Sequence, residues 1–197
     1  VVNNSIQSPA DMKGKTFAIP STQSSHYILL LEELQKAGLT LDDIQVTQLA
    51  PSEMPSSLAS GAIDGYCVAE PFGAQAVTNG FGNVLARSDK LWEDSVCCGL
   101  IFRTDVIEQD PEAFQTFLEK YQEAGKKLDK EEATRIAENY LGQDAKTLET
   151  SLEWISYDDL TITRDAYDDL YEKVLSDHMI ENPPTYDDFV YTTDGKE

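Results

Sequence analysis

Five consecutive residues with hydrogen-bonding side chains are the most chemically suggestive stretch of this chain. They are Ser21, Thr22, Gln23, Ser24 and Ser25, and they lie between a short apolar segment and an amphipathic one. The first turn of a helix offers free backbone N–H groups and the positive end of the helix dipole, and both attract an anion. One hydroxyl is enough to cap a helix, so five such residues in a row indicate contact with a small polar ligand.

Two further loops carry side chains that suit the same kind of site. Ser52 and Glu53 open another short helix, either as a second wall of the site or as ordinary residues of a helix start. Glu70 directly follows an apolar strand and precedes Pro71 and Phe72. At the carboxyl end of a strand, Glu70 either accepts a hydrogen bond from a ligand or caps the following helix. Phe72 is placed to enclose the ligand.

His26 and the charges of these loops leave the class of ligand open. His26 lies in the first turn of the helix after Ser25, where it either reaches the ligand or remains a surface residue. The three loops contain no Lys or Arg, and the carboxylate of Glu70 repels an anion unless it is hydrogen-bonded elsewhere. An amine, a zwitterion such as taurine, or a pyrimidine suits Glu70 better than a bare anion does.

Alternating strands and helices are needed to position these loops. The pattern of apolar residues and of Gly and Pro predicts strands at Thr16–Ile19, Ile44–Leu49, Ile63–Ala69 and Val84–Ala86, with helices at 24–37, 51–58 and 72–78. Such an order is typical of an α/β protein with a small, mostly parallel sheet.

The second half of the chain is predicted to be mainly helical. A strand at Val96–Phe102 is followed by helices at 111–127, 131–140, 146–154 and 164–177. The residues from Asn182 onwards show no periodicity and are predicted to form an extended tail over the surface.

Composition and charge exclude several classes of protein. The 197 residues are 41% hydrophobic and carry a net charge of −21, which argues against nucleic-acid binding because that needs clustered Lys and Arg. With two histidines and no Cys-x-x-Cys pair, a structural zinc site is not expected, and no other metal or cofactor is proposed. Cys67, Cys97 and Cys98 are expected to be free thiols, unless Cys67 forms a disulfide with one of the other two.

Three segments, read in order, resemble a known family. They are PADMKGKTFAIPSTQSSHYILLLEELQKAGL, then AEPFGAQAV, then FRTDVIEQDPEAFQTFLEKY. Together they are similar to the solute-binding proteins of ABC importers for nitrate, bicarbonate, sulfonates and thiamine precursors, and YCVAEPFGAQ looks most like the nitrate and bicarbonate branch. The resemblance covers essentially the whole chain, including the closing NPPTYDDFV.

The resemblance implies an α/β fold of the type II periplasmic-binding-protein kind, with two lobes around a ligand. Family members have about four strands before the segment that matches PADMKGK, whereas only residues 1–8 precede it here. We therefore expect residues 1–7 to be a crossover segment and residues 8–94 to be one complete α/β lobe. Residues 95–197 would then supply a strand, the helical return portion of the other lobe and the tail, with the first part of that lobe missing.

The function implied by the resemblance is capture of a small polar solute and its delivery to an ABC permease in the membrane. Closure of the lobes is expected through crossover segments near Val1–Ile6 and Ser95–Gly99. The same resemblance implies an extracytoplasmic protein, either periplasmic or a cell-surface lipoprotein whose signal sequence is absent from this chain. No catalytic residue is predicted.

Three alternatives to a transport protein are left open. Pyrimidine synthases of thiamine biosynthesis share the fold and carry a longer cysteine run where this chain has only Cys97 and Cys98. A cysteine hydrolase built from Cys67 and His26 is the weakest alternative, because nothing in the sequence places the two side chains within hydrogen-bond reach. A ligand-sensing domain that keeps the fold without transport is the third.

Overall fold

The computed structural model describes residues 1–157 and 159–191, which contain one five-stranded sheet. Its strands are β1 (Val2–Asn3), β2 (Thr16–Ile19), β3 (Gln45–Gln48), β4 (Gly65–Tyr66) and β5 (Gly82–Asn83). Their order across the sheet is β3-β2-β4-β1-β5. Strand β2 is parallel to β3 and β4, whereas β1 is antiparallel to β4 and β5. Every strand except β1 therefore runs in the same direction, which confirms the predicted α/β class with a mostly parallel sheet.

The helices account for half of the remaining described residues. In chain order they are α1 (Ser25–Lys36), α2 (Met54–Ala59), α3 (Phe72–Thr78), α4 (Ser88–Leu91), α5 (Thr104–Gln109), α6 (Pro111–Lys127), α7 (Lys130–Leu141), α8 (Ala145–Ser151), α9 (Arg164–Ser176) and α10 (Tyr186–Phe189). Short 3-10 turns occur at Pro9–Met12, Leu41–Asp43 and Pro51–Glu53. None of the described helices is long and apolar enough to cross a membrane.

The described residues fall into two compact units. One contains residues 1–97 together with the described residues from Ile162 onwards, and the other is Cys98–Thr161. This grouping differs from the expected division into residues 1–7, 8–94 and 95–197, because α9 belongs to the first unit and not to the second. The assignment of these parts to lobes remains a prediction.

Both faces of strand β2 are buried, so this strand belongs to the core of the first unit. Phe17 and Ile19 belong to the apolar cluster that includes Leu30 and Leu34 of α1. Ala18 points to the opposite face, where its cluster includes Met54 of α2 and residues of β4 and α3. A Leu, Ile, Phe or Met side chain contributes about 1.5–3 kcal/mol of stability when it is fully buried. The sheet is therefore held between helices on both sides.

A third apolar cluster holds α9 against α1. Trp92, which follows α4, is buried with Ile28 and Leu29 of α1 and with Val174 of α9. Lys173 adds two charged contacts, because its Nζ lies 2.5 Å from Oε1 of Glu32 and 5.4 Å from the centre of the Trp92 ring. Helix α9 thus packs against α1, although the two helices are far apart in the sequence.

The second unit is built from helices with their own aromatic contacts. The ring of Phe102 lies 4.9 Å from that of Phe114 and 5.3 Å from that of Phe117, both in edge-to-face geometry. Helices α6, α7 and α8 each begin at an Asp whose side chain accepts a backbone N–H, namely Asp110, Asp129 and Asp144. Each of these caps satisfies one of the backbone N–H groups that the first turn of a helix leaves unpaired.

The predicted strand at Val96–Phe102 is wrong. Residues 96–102 are all described and none of them is in a strand. The side chain of Ile101 remains 81% exposed and that of Leu100 remains 50% exposed. A strand needs a neighbour to accept and donate its backbone hydrogen bonds, and no other described segment pairs with this one. An apolar, β-prone sequence alone was therefore not sufficient.

Two smaller predictions also differ from the structure. The tail expected to be extended contains helix α10, which is tied to the chain by the bond from the Tyr186 hydroxyl to the carbonyl of Ile162. The last part of that tail, residues 192–197, lies outside the described residues. Helix α5 was not predicted; it ends at Gln109, just before the Asp-Pro pair at the start of α6.

Glu33 provides a test of how burial affects this core. Its side chain lies on the buried face of α1 and is only 7% exposed, and burial raises the pKa of its carboxyl above the ordinary value. The folded chain therefore holds the Glu33 proton more tightly than the unfolded chain does. Stability is greatest below the ordinary glutamate pKa and falls as the pH rises through the raised value.

We expect Glu33→Gln to increase the free energy of unfolding at pH 7 and to leave it nearly unchanged at pH 3. Urea denaturation across this pH range measures both values. The matched control is Glu149→Gln, which changes an exposed helical glutamate and should leave the free energy of unfolding nearly unchanged. Equal effects of the Glu33 substitution at pH 3 and pH 7 would contradict this account.

Candidate functional site

Three loops leave the same edge of the sheet in the first unit. They follow β2, β3 and β4, which are adjacent and parallel, so their carboxyl ends lie at one edge. The loop after β2 carries Ser21–Ser25, the loop after β3 carries Ser52 and Glu53, and the loop after β4 carries Glu70 and Phe72. Open α/β sheets bind their ligands at this edge, between the strand ends and the helix starts. The topology therefore places all three predicted loops on the ligand-binding side of the sheet.

The loop after β2 is held in shape by bonds among its own residues. The Ser21 hydroxyl oxygen accepts the backbone N–H of Gln23 at 3.1 Å, and the Ser21 carbonyl accepts the hydroxyl of Ser24 at 2.7 Å. Thr22 and Gln23 are exposed, whereas Ser24 and Ser25 are half-buried. The loop is thus a compact turn that carries its polar side chains at the start of α1.

Ser24 does not cap the helix that it precedes. It occupies the N-cap position with an extended backbone, but its side chain makes no cap hydrogen bond, since its hydroxyl donates to Ser21 instead. An N-cap hydroxyl normally accepts an N–H from the second or third helical residue. The first turn of α1 therefore presents backbone N–H groups that the Ser24 side chain leaves available, at the positive end of a 12-residue helix.

His26 lies in that first turn and has a neighbour that sequence reasoning did not identify. Its Nε2 is 3.9 Å from the Sγ of Cys97, a residue 71 positions later in the chain. Burial lowers the pKa of the His26 imidazole, so the ring is neutral at pH 7. The sequence did not predict this contact, because the two residues are 71 positions apart and Cys97 was assigned to a strand that does not form.

Ser52 and Glu53 lie at the predicted edge of the sheet, but the Glu53 carboxylate is hydrogen-bonded within its own turn. Its Oε2 accepts the backbone N–H of Ala50 at 3.3 Å, which stabilises the short turn before α2. Both side chains are exposed. This bond supports the interpretation of Glu53 as an ordinary acidic residue at the start of a helix. Its role as part of a second wall of the site remains a prediction.

Glu70 is also hydrogen-bonded to its own helix. Its Oε2 accepts the backbone N–H of Ala74 at 3.1 Å, in the first turn of α3. The carboxylate lies so close to Gly73 that a Cβ added there would clash with Oε1 of Glu70. Gly73 is therefore what allows the carboxylate to fold over the helix start. The negative charge is directed at the positive end of α3, which reduces the repulsion that an anion at this edge would meet.

Tyr66 fixes the loop between β4 and α3. Its side chain is 2% exposed, and its hydroxyl donates to the carbonyl of Phe72 at 2.7 Å. Burial and the nearby charge of Glu70 raise the pKa of the Tyr66 phenol, so it remains a proton donor at all ordinary pH values. Tyr66 therefore packs within β4 and does not face a ligand. Phe72, at the start of α3, is half-buried.

The sulfur and metal chemistry of the described residues is limited. The three cysteines, all of them described, form no disulfide. Burial raises the pKa of the Cys67 thiol to about 11, so it stays protonated at neutral pH. No group of three or more His, Cys, Asp or Glu side chains among the described residues is arranged to hold a metal ion.

Comparison with known proteins identifies relatives of the same kind as the resemblance implied. A binding protein of Brucella abortus is 29% identical over 154 residues, which are 76% of this chain and 48% of that protein. The nitrate/nitrite binding protein NrtA of Nostoc is 30% identical over 128 residues, which are 64% of this chain and 29% of that protein. The chain thus spans about half the length, or less, of these curated relatives.

Solved structures agree with the sequence relatives. The ligand-binding component of an ABC-type import system from Staphylococcus aureus, solved with zinc bound, is 34% identical with a TM-score of 0.86, over 91% of this chain and 62% of that chain. At 20% identity and a TM-score of 0.74, the periplasmic aliphatic sulphonate binding protein SsuA of Escherichia coli shows the fold alone. The same holds for the desulfurization enzyme DszB, at 13% identity and a TM-score of 0.62.

These matches confirm the predicted fold, which is that of periplasmic binding proteins. A family model described as the NMT1-like family matches residues 2–142. That range is well over half of the chain and contains the three loops of the candidate site. The chain belongs to the NMT1-like family.

Proposed function

We propose that this chain is part of a solute-binding protein of an ABC importer, and that Ser21–Ser25 and the first turn of α1 contact the solute. The observation that carries the proposal is the state of Ser24, which sits at the N-cap without a side-chain cap bond. The backbone N–H of Tyr27 is bonded to the Ser24 carbonyl, and the N–H groups of Ser25 and His26 remain available at the start of α1. A small polar solute with an anionic or strongly accepting group satisfies those N–H groups and the neighbouring hydroxyls. The relatives that are binding proteins support the same function.

The second part of the proposal concerns the charge of the solute. The carboxylate of Glu70 is turned onto the N–H of Ala74, so the main objection to an anion at this edge is reduced. Nitrate is named as a ligand of the Nostoc relative, and it is an oxyanion that accepts several hydrogen bonds. We therefore place an oxyanion, or a zwitterion that contains one, ahead of a simple amine.

An enzyme is the second candidate and is not favoured. A thiamine-type pyrimidine synthase would need the longer cysteine run, and this chain has only Cys97 and Cys98 there. A hydrolase that uses Cys67 is opposed by the raised pKa of that thiol, because the thiolate is the nucleophile. The likeness to DszB concerns the fold and carries no residue of its chemistry to this chain.

The proposal includes an extracytoplasmic location and a membrane permease as partner. Both follow from the importer relatives, which are binding components of transport systems. Attachment as a lipoprotein, as opposed to free residence in a periplasm, is the finer prediction. Detection of the protein in a cell-surface or periplasmic fraction would support this location, and detection in the cytoplasm alone would contradict it.

A thermal-shift screen tests the function directly. The panel contains nitrate, bicarbonate, taurine, alkylsulfonates and thiamine pyrimidines, each titrated against the purified chain. A solute present at 100 times its dissociation constant should add about 2.7 kcal/mol of stability, a shift of about 5–10 °C for a chain of this size. Chloride at equal ionic strength is the control for nonspecific salt effects. A folded sample that responds to none of the panel would count against solute binding by this chain.

A further inference from the structure

The contact between His26 and Cys97 brings two soft metal ligands together at the surface of the first unit. The two atoms, Nε2 and Sγ, are 3.9 Å apart, and the residues are 71 positions apart in the chain, so the fold creates the pair. Cys97 is exposed and His26 is half-buried, so one side of the pair is open to a solute from outside. In the absence of a cation the same geometry suits a weak S–H to N hydrogen bond.

The distance between the two atoms sets the kind of cation that fits. A metal with bonds of about 2.3 Å to sulfur and about 2.0 Å to nitrogen separates them by about 3.5 Å at a tetrahedral angle and by about 4.3 Å in a straight line. The observed 3.9 Å lies between these values and corresponds to a wide angle. Wide angles belong to low coordination numbers, whereas zinc takes four ligands in structural sites. No third His, Cys, Asp or Glu side chain among the described residues is arranged with this pair to hold a metal ion.

We propose that Cys97 and His26 form a binding site for a single soft, monovalent cation of the Cu(I) or Ag(I) class. Thiolate selects such cations, and imidazole is also a good ligand for copper. On binding, Cys97 forms a metal–sulfur bond and releases its thiol proton to solvent, while the neutral His26 ring donates its lone pair without losing a proton. The oxidation state of the metal does not change.

The inference does not rest on the proposed transport function, although His26 lies at the predicted solute site.

The test is a Cu(I) competition titration of the reduced chain under anaerobic conditions, with bathocuproine disulfonate as the competing chelator. We expect one Cu(I) per chain, and a fall in affinity of about ten-fold or more in each of His26→Asn and Cys97→Ser. X-ray absorption of the Ag(I) or Cu(I) complex should show one sulfur and one nitrogen neighbour. His178→Asn and Cys98→Ser are the matched controls and should bind as the unaltered chain does.

Several outcomes would overturn the proposal. If His26→Asn, shown to be folded by its thermal transition, kept full affinity, the cation would be held by thiols alone. Loss of binding in Cys98→Ser would point to the adjacent cysteines instead. The Ser24→Ala/Ser25→Ala variant distinguishes this site from the solute site, because it should keep its Cu(I) affinity whether or not solute binding is lost.

Discussion

Replacing Ser24 and Ser25 together with Ala should weaken binding of the solute found in the thermal-shift screen by about 100-fold. We expect the Ser24 hydroxyl, which donates to the Ser21 carbonyl in this structure, to turn towards the ligand when the solute binds. The two substitutions then remove one hydrogen bond each to the ligand, and a bond to an ionised group contributes about 1.5 kcal/mol or more. The measurement is isothermal titration calorimetry of the unaltered chain and the double variant. Because Ser24 makes no side-chain cap bond, the loss of fold stability should be small.

The control for this prediction is a second pair of serines with the same local chemistry. The hydroxyls of Ser60 and Ser176 each donate to the carbonyl three residues earlier, as that of Ser24 does, but neither lies in the three loops. Ser60→Ala/Ser176→Ala should therefore keep full affinity. Equal affinity of the Ser24→Ala/Ser25→Ala variant and the unaltered chain would remove these residues from the site.

Trp92→Ala should lower the free energy of unfolding of the chain by about 3–5 kcal/mol, the range for truncating a buried aromatic side chain. The Trp92 side chain is 4% exposed and fills the space between Ile28 of α1 and Val174 of α9. Its loss leaves a cavity at the position where α9 is held, and it also removes the cation–π contact with Lys173. Urea denaturation followed by far-UV circular dichroism measures the change.

Trp92→Phe is the matched control for that prediction. The indole Nε1 of Trp92 is buried and has no hydrogen-bond partner among the described residues, so the phenylalanine variant sacrifices no buried hydrogen bond. It should therefore cost clearly less than Trp92→Ala. If the two substitutions were equally mild, α9 would not depend on this cluster for its position.

The parts of the fold that the sequence predicted are those with strong local signals. The strand Thr16–Ile19 ends at Pro20 and the helix Phe72–Thr78 follows Pro71, and both were placed with the bounds that the structure shows. Helix α6 was likewise predicted at residues 111–127, the bounds that the structure shows, because Pro111 is its first residue. Where no proline bounds a strand, the predicted strand was too long. A strand was predicted at Ile63–Ala69, whereas β4 contains only Gly65 and Tyr66.

The parts that could not be predicted depend on neighbours distant in the sequence. The apolar segment Val96–Phe102 has strand propensity, but pairing decides whether it becomes a strand, and the described residues supply no partner. The packing of α9 against Trp92 is a tertiary contact of the same kind.

The candidate site shows the same division between local and distant information. The three loops at the sheet edge followed from the strand–helix alternation. The bond from Ala74 to Glu70 was foreseen only as an alternative role for Glu70, and it depends on the close approach that Gly73 permits. The pair of His26 and Cys97 could not be found without the fold.

The antiparallel position of β1 determines when the sheet can be assembled during synthesis. Val2 pairs with Gly65 on one side and with Asn83 on the other, so β1 is made well before either of its partners. Loop closure over such separations is entropically costly and slows folding. Strands β2 and β3 can pair early, but β5 joins the sheet through β1 alone. The first unit therefore completes its sheet only after the whole of this region has been translated, and until then β1 and β4 need protection from incorrect pairing.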